Sequence, residues 1–101
     1  MEHKLLTTLA EPRRMAIFEL LCGGPLPVGK IANRLKMDQP LVSTHLRVLR
    51  QAGLVEPRAL GQQRIYRVQA KPLRQLDKWL ESYRYVWDER FDRLDKKLKE
   101  G

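Results

Sequence analysis

The sequence predicts a mainly α-helical fold with one small β-hairpin, and three observations carry that expectation. Apolar residues recur at helical spacing through most of the 101 residues. One stretch, residues 54–68, breaks that rhythm and pairs two extended runs about Gly61. Gly23-Gly24-Pro25, Pro27 and Gly53 punctuate the periodic segments.

Residues 3–9 form a short amphipathic stretch with Leu5, Leu6 and Leu9. Pro12 restarts a helix, since a first-turn residue has no use for the N–H that proline lacks. This second helix runs to about Cys22, shows Met15, Ile17, Phe18, Leu20 and Leu21 over a broad face, and is stopped by Gly23-Gly24-Pro25. Two further turns, residues 28–35, place Val28, Ile31, Ala32 and Leu35 at helical spacing. Lys36-Met37-Asp38 then leads into a helix over residues 39–51, with Asp38 as the expected N-cap and Pro40 in the first turn. Two helices joined by three or four residues have the order of a helix-turn-helix.

After Ala52-Gly53, residues 54–60 and 64–68 read as strands around Gly61-Gln62-Gln63. Pro57 suits an edge position, Tyr66 and Val68 mark one face, and Arg64 and Arg67 are expected to be exposed. From Pro72 one helix is expected to about residue 99, roughly 40 Å long at 1.5 Å per residue. Leu73, Leu76, Leu80, Tyr83, Trp87, Phe91, Leu94 and Leu98 then fall within an arc of about 80°. The remainder of the chain is too small to cover that stripe. A second copy of the same helix is the simplest partner, with the N-terminal helix alongside. Residues 1–101 thus read as a single winged helix-turn-helix domain with a long terminal dimerisation helix. Residues 1–22 and 72–99 are the dimerisation helices, 28–51 the helix-turn-helix and 54–68 the wing.

A net charge of +8 and a pI near 10.1 point to a polyanionic partner. Residues 30–67 hold eight basic residues against only Asp38 and Glu56. An excess placed centrally in a folded domain, rather than in a tail, favours nucleic acid. The start of the chain shows no basic segment leading into an apolar run, and no stretch approaches the roughly 20 apolar residues of a membrane span, so a soluble cytoplasmic protein is expected. No nucleophile–base pair, paired carboxylates, phosphate-binding glycine loop or metal cluster stands out, so neither catalysis nor a cofactor is expected. Asp88, Glu89, Asp92 and Asp95 alternate with bases as exposed ion pairs do. Cys22, the single cysteine, cannot form an internal disulfide and is expected as a small buried residue at a helix end.

Steps of 100° along residues 39–51 put Leu41, Val42, Leu46, Val48 and Leu49 on one side. Pro40, Ser43, Thr44, Arg47, Arg50 and Gln51 fall on the other. Arg suits guanine O6 and N7, Ser and Thr suit bases or phosphate, and Gln39 reaches adenine or a phosphate. Base contacts are therefore expected from Gln39, Ser43, Thr44 and Arg47, with Pro40 on the same face. His45 projects between Leu41 and Val42, which favours packing over DNA contact and leaves it as an edge candidate. Lys30 and Arg34 are placed to grip phosphates, while Arg58, Gln62, Gln63 and Arg64 surround a turn short enough for a minor groove.

Three segments together resemble the ArsR (ArsR/SmtB-type) family of repressors. They are Glu11-Pro12-Arg13-Arg14, the run from Gln39-Pro40-Leu41-Val42-Ser43-Thr44-His45-Leu46 to Gly53-Leu54-Val55, and Gly61-Gln62-Gln63-Arg64-Ile65-Tyr66-Arg67. The resemblance covers nearly the whole chain. It implies a homodimer joined by its first and last helices, with two reading helices in successive major grooves of a palindromic operator. The metal sensors of that family carry a thiolate pair where residues 28–35 have no Cys, and His and carboxylate ligands where residues 72–99 have no His. The last helix, with Trp79, Tyr83, Tyr85 and Trp87, resembles the metal-independent branch, in which some members repress their own operons. No metal inducer is expected, and no small-molecule or protein inducer is evident. Two alternatives stay open: a ligand- or protein-responsive sensor of the same fold, and a nucleoid-type protein with weak sequence preference.

Overall fold

The computed structural model describes residues 2–86 and 88. In chain order they form α1 (Glu2–Ala10), α2 (Pro12–Cys22), β1 (Leu26–Pro27), α3 (Val28–Leu35), α4 (Gln39–Gln51), β2 (Val55–Leu60), β3 (Gln63–Val68) and α5 (Ala70–Glu81). The strands make an antiparallel sheet in the order β1-β3-β2.

Local chemistry sets the helix ends. Glu11 caps α2 by accepting the Arg14 N–H at 2.9 Å, and Pro12 occupies the first turn. The Arg14 side chain then donates through Nε to the Thr8 carbonyl at 2.6 Å, tying α1 to α2. Asp38 stands at the start of α4 in the extended conformation of an N-cap, but its side chain makes no capping hydrogen bond, contrary to the expectation. Both α3 and α4 end in Schellman turns. After α3, Met37 N–H reaches the Ala32 carbonyl at 2.9 Å, with Lys36 left-handed at φ 54°. After α4, Leu54 N–H reaches Leu49 at 2.9 Å and Gly53 takes the left-handed position at φ 77°.

The sheet differs from a bare hairpin. Leu26 and Pro27, held extended between prolines, pair with Tyr66 and Ile65 and add a third strand. Pro27 and Pro57 lie on the two edge strands, where a missing N–H removes no central ladder bond. Gln63 belongs to β3 and faces Leu60, so the wing turn is Gly61-Gln62, with Gly61 at φ 63° as a two-residue turn of type II′ demands.

The core gathers one face from each helix. Ile17, Ile31, Val42, Leu46, Leu49 and Leu54 are fully buried, with Leu5, Leu9, Phe18, Leu21, Ala32 and Val55 around them. Leu73 and Leu76 of α5 pack against this cluster. The single long helix expected from Pro72 is interrupted. Helix α5 starts at Ala70 and ends at Glu81, where Ser82 and Tyr83 N–H groups bond three residues back to Trp79 and Leu80. The Ser82 hydroxyl also donates to the Trp79 carbonyl at 2.7 Å. Residues 84–86 and 88 are helical again. The expected apolar positions at Trp87, Phe91, Leu94 and Leu98 lie outside the described residues. Cys22 is exposed rather than buried. Partial desolvation, aided by Glu19, nevertheless pushes its thiol up, away from the reactive thiolate.

Candidate nucleic-acid interface

Helix α4 divides sharply into two sides. Val42, Leu46 and Leu49 face the core and are fully buried, which fixes the rotation of the helix. Gln39, Pro40, Ser43, Thr44, Arg47, Arg50 and Gln51 are all exposed as a consequence. The Thr44 hydroxyl donates to the Pro40 carbonyl at 3.0 Å, so towards solvent it offers a methyl group and acceptor lone pairs.

His45 belongs to the packed side. Its side chain is 12% exposed and its Nδ1 lies 3.7 Å from Glu11 Oε2. Neither ring nitrogen has a hydrogen-bond partner among the described residues. The edge candidate of the sequence thus lies largely buried between α4 and the start of α2.

The start of α3 and strand β3 flank an open cleft of about 590 Å³ lined by Pro27, Val28, Gly29, Lys30, Gln63, Arg64 and Ile65. The short β1–β3 pairing creates it by seating the N-terminus of α3 beside the wing. Lys30, Gln63 and Arg64, remote in sequence, thereby line one surface and are exposed. Arg34 is exposed on α3, and Gln62 at the wing turn.

Wing charge is uneven. The Arg67 Nη2 lies 2.6 Å and its Nε 2.8 Å from Glu56 Oε1, across the register pair Glu56–Arg67. This bond holds the Glu56 carboxyl below the usual carboxylate range. Arg67, expected to be exposed, is half-buried and paired with Glu56 within the sheet. Arg58, 66% exposed and 3.7 Å from Glu56, remains largely open to a partner. Sequence reasoning passed over Leu60, 68% exposed at the end of β2. Its place two residues after Arg58, on the same face of the strand, was the available signal.

A three-helix core carrying an exposed helix and a basic hairpin defines a winged helix-turn-helix. Residues 11–57 match the family described as "Bacterial regulatory protein, arsR family". The chain is 47% identical over 60 residues to the HTH-type transcriptional regulator Rv2034 of Mycobacterium tuberculosis, covering 59% of this chain and 56% of that protein. It resembles the crystal structure of the transcriptional repressor BigR from Xylella fastidiosa with a TM-score of 0.65 at 34% identity, over 75% of this chain and 79% of that one. It also resembles the solution structure of the homodimeric winged helix-turn-helix DNA-binding domain Mb0332 from Mycobacterium bovis. That likeness has a TM-score of 0.66 at 31% identity and spans 86% of this chain and 78% of that one. The chain belongs to the arsR family of bacterial regulators, which is not an enzyme class. The matched stretch spans about half the length of the first curated relatives. Among the described residues, no helix is long and apolar enough to cross a membrane.

Proposed function

We infer that this protein is a sequence-specific DNA-binding transcriptional repressor that works as a homodimer on a palindromic operator in the cytoplasm. The carrying observation is the outer face of α4, where Gln39, Ser43 and Arg47 are exposed on a helix whose other face is locked in the core. Such a face, set in a major groove, offers a bidentate donor to guanine and an amide to adenine. Lys30, Arg34, Arg58, Gln62, Gln63 and Arg64 surround it with phosphate contacts that set affinity more than sequence choice. Pro40 and the Thr44 methyl give α4 an apolar contact for a thymine methyl group.

Dimerisation is supported by exposed apolar side chains on the terminal elements: Leu6 of α1, Leu80 of α5, and Tyr83 and Tyr85 beyond it. Exposed apolar groups on these elements suit burial against a second chain. The homodimeric relative from Mycobacterium bovis agrees with this assembly. Residues 1–22 and 72–99 supply the contact in this reading, residues 28–51 read the duplex and residues 54–68 flank it. No metal inducer takes part, and autoregulation is the proposed output.

Selection of genomic fragments by the purified protein, followed by footprinting that includes the region upstream of its own gene, tests this. Footprints sharing an inverted repeat are expected. Footprints with no shared repeat would overturn the operator reading.

A further inference from the structure

Among the described residues, Leu60 takes no part in the core. It is 68% exposed, does not pack against the core cluster, and closes β2 beside the Gly61-Gln62 turn. Cross-strand register places it opposite Gln63, on the same face of the strand as Arg58, while Arg64 pairs with Ala59 on the other face. An apolar side chain on an exposed edge strand invites wrong association, so the fold gains nothing by keeping it there. Here it projects from the tip of a hairpin with guanidinium groups on both faces. That pairing of features suits a polyanionic surface with an apolar interior: the phosphates outside and the sugar walls within a minor groove.

We propose that Leu60 is a specificity-determining contact, packing against the deoxyribose walls of the minor groove beside the segment read by α4, with Arg58 and Arg64 on the bordering phosphates. The inference rests on the DNA-binding reading above. A groove floor free of protruding groups admits the side chain. The guanine N2 amino group of a G·C pair obstructs it, because that group is what distinguishes G·C from A·T in the minor groove. Leu60 therefore reads the flank as A·T-like without any hydrogen bond. Its contribution displaces no counterion, unlike those of Arg58 and Arg64.

The test uses the full chain and a duplex bearing one of its own footprints, with the wing-contacted flank filled in turn by A·T, G·C or I·C pairs. Inosine keeps the major-groove pattern of guanine but lacks the amino group. Wild type is expected to bind the A·T and I·C flanks alike and the G·C flank about tenfold more weakly. Leu60→Ala should lose about tenfold on the A·T and I·C flanks at every salt concentration, with the salt slope unchanged and the flank preference abolished. Leu60→Met should restore most of both. Binding by Leu60→Ala within twofold of wild type on all three flanks would overturn the proposal, as would a wild type indifferent to the flank. Loss of affinity accompanied by loss of self-association in sedimentation would assign Leu60 to a protein contact and also overturn it. Should wild type fail to prefer the footprint duplex over random DNA, the repressor reading itself fails, an outcome distinct from the other three.

Discussion

His45 and Glu11 face each other across the junction of the reading helix and the start of α2, with Nδ1 3.7 Å from Oε2. The same carboxylate oxygen accepts the Arg14 N–H that opens α2. Glu11 therefore caps α2 while lying beside the imidazole of α4. Because neither imidazole nitrogen has a hydrogen-bond partner among the described residues, replacing the ring by an apolar side chain forfeits little. His45→Leu is expected to melt within a few degrees of wild type and to select the same DNA sequence. A change in the selected bases would show that the ring reaches the duplex.

Glu11 adds to the acid sensitivity expected of the fold. The hydrogen bond from Arg14 N–H, with His45 nearby, holds its carboxyl below the ordinary 4.5. The folded state favours the charged form, so its contribution is complete above that value and is lost as pH falls through the lowered one. Glu56, bonded to Arg67, acts in the same sense. Thermal melts from about pH 6 down to about pH 3 should show Glu11→Gln less stable than wild type at the upper end, with a shallower loss on acidification. Parallel curves for the two proteins would contradict this.

Leu46 and Arg47 are neighbours with opposite duties. Leu46 is fully buried, so Leu46→Ala should cost about 2–5 kcal/mol of stability, as measured by denaturant unfolding. Arg47 is exposed, and its removal should change stability by no more than about 0.5 kcal/mol. A large unfolding effect at Arg47 would mean that α4 is rotated from the orientation described.

Phosphate contacts have their own signature. Lys30 and Arg64 line the cleft between α3 and β3, and each phosphate neutralised contributes about 0.9 to the slope of log affinity against log salt. Lys30→Ala and Arg64→Ala should each flatten that slope by about this amount, while Arg67→Ala should leave it nearly unchanged because Glu56 already holds that guanidinium. Equal flattening by all three would place Arg67 on the duplex instead.

Much of this architecture is legible in the sequence, because periodicity and punctuation agree. Helices α2, α3 and α4 have the ends that their Pro, Gly and apolar spacing imply, and the two faces of α4 follow from 100° steps alone. What escaped reading depends on contacts between distant residues. Strand β1 is two residues long, and only its pairing with Tyr66 and Ile65 makes it a strand. The neutralisation of Arg67 needs the cross-strand register that sets it opposite Glu56. The turn at Ser82 and Tyr83 escaped because Leu80 and Tyr83 preserve the apolar spacing through it, while the hydroxyl of Ser82 bonds back to Trp79. Cys22 was misjudged for a related reason: composition favours a buried cysteine, but the Gly23-Gly24 bend leaves the helix end open to solvent.

The central claim is that the outer face of α4 reads base sequence, and competition binding with Arg47→Ala tests it most directly. Wild type and variant are titrated against a footprint duplex in the presence of excess random DNA. The account predicts that Arg47→Ala loses about 1–3 kcal/mol on the footprint duplex and little on random DNA, so that the preference between them collapses. Equal losses on both duplexes, or an unchanged preference, would contradict it.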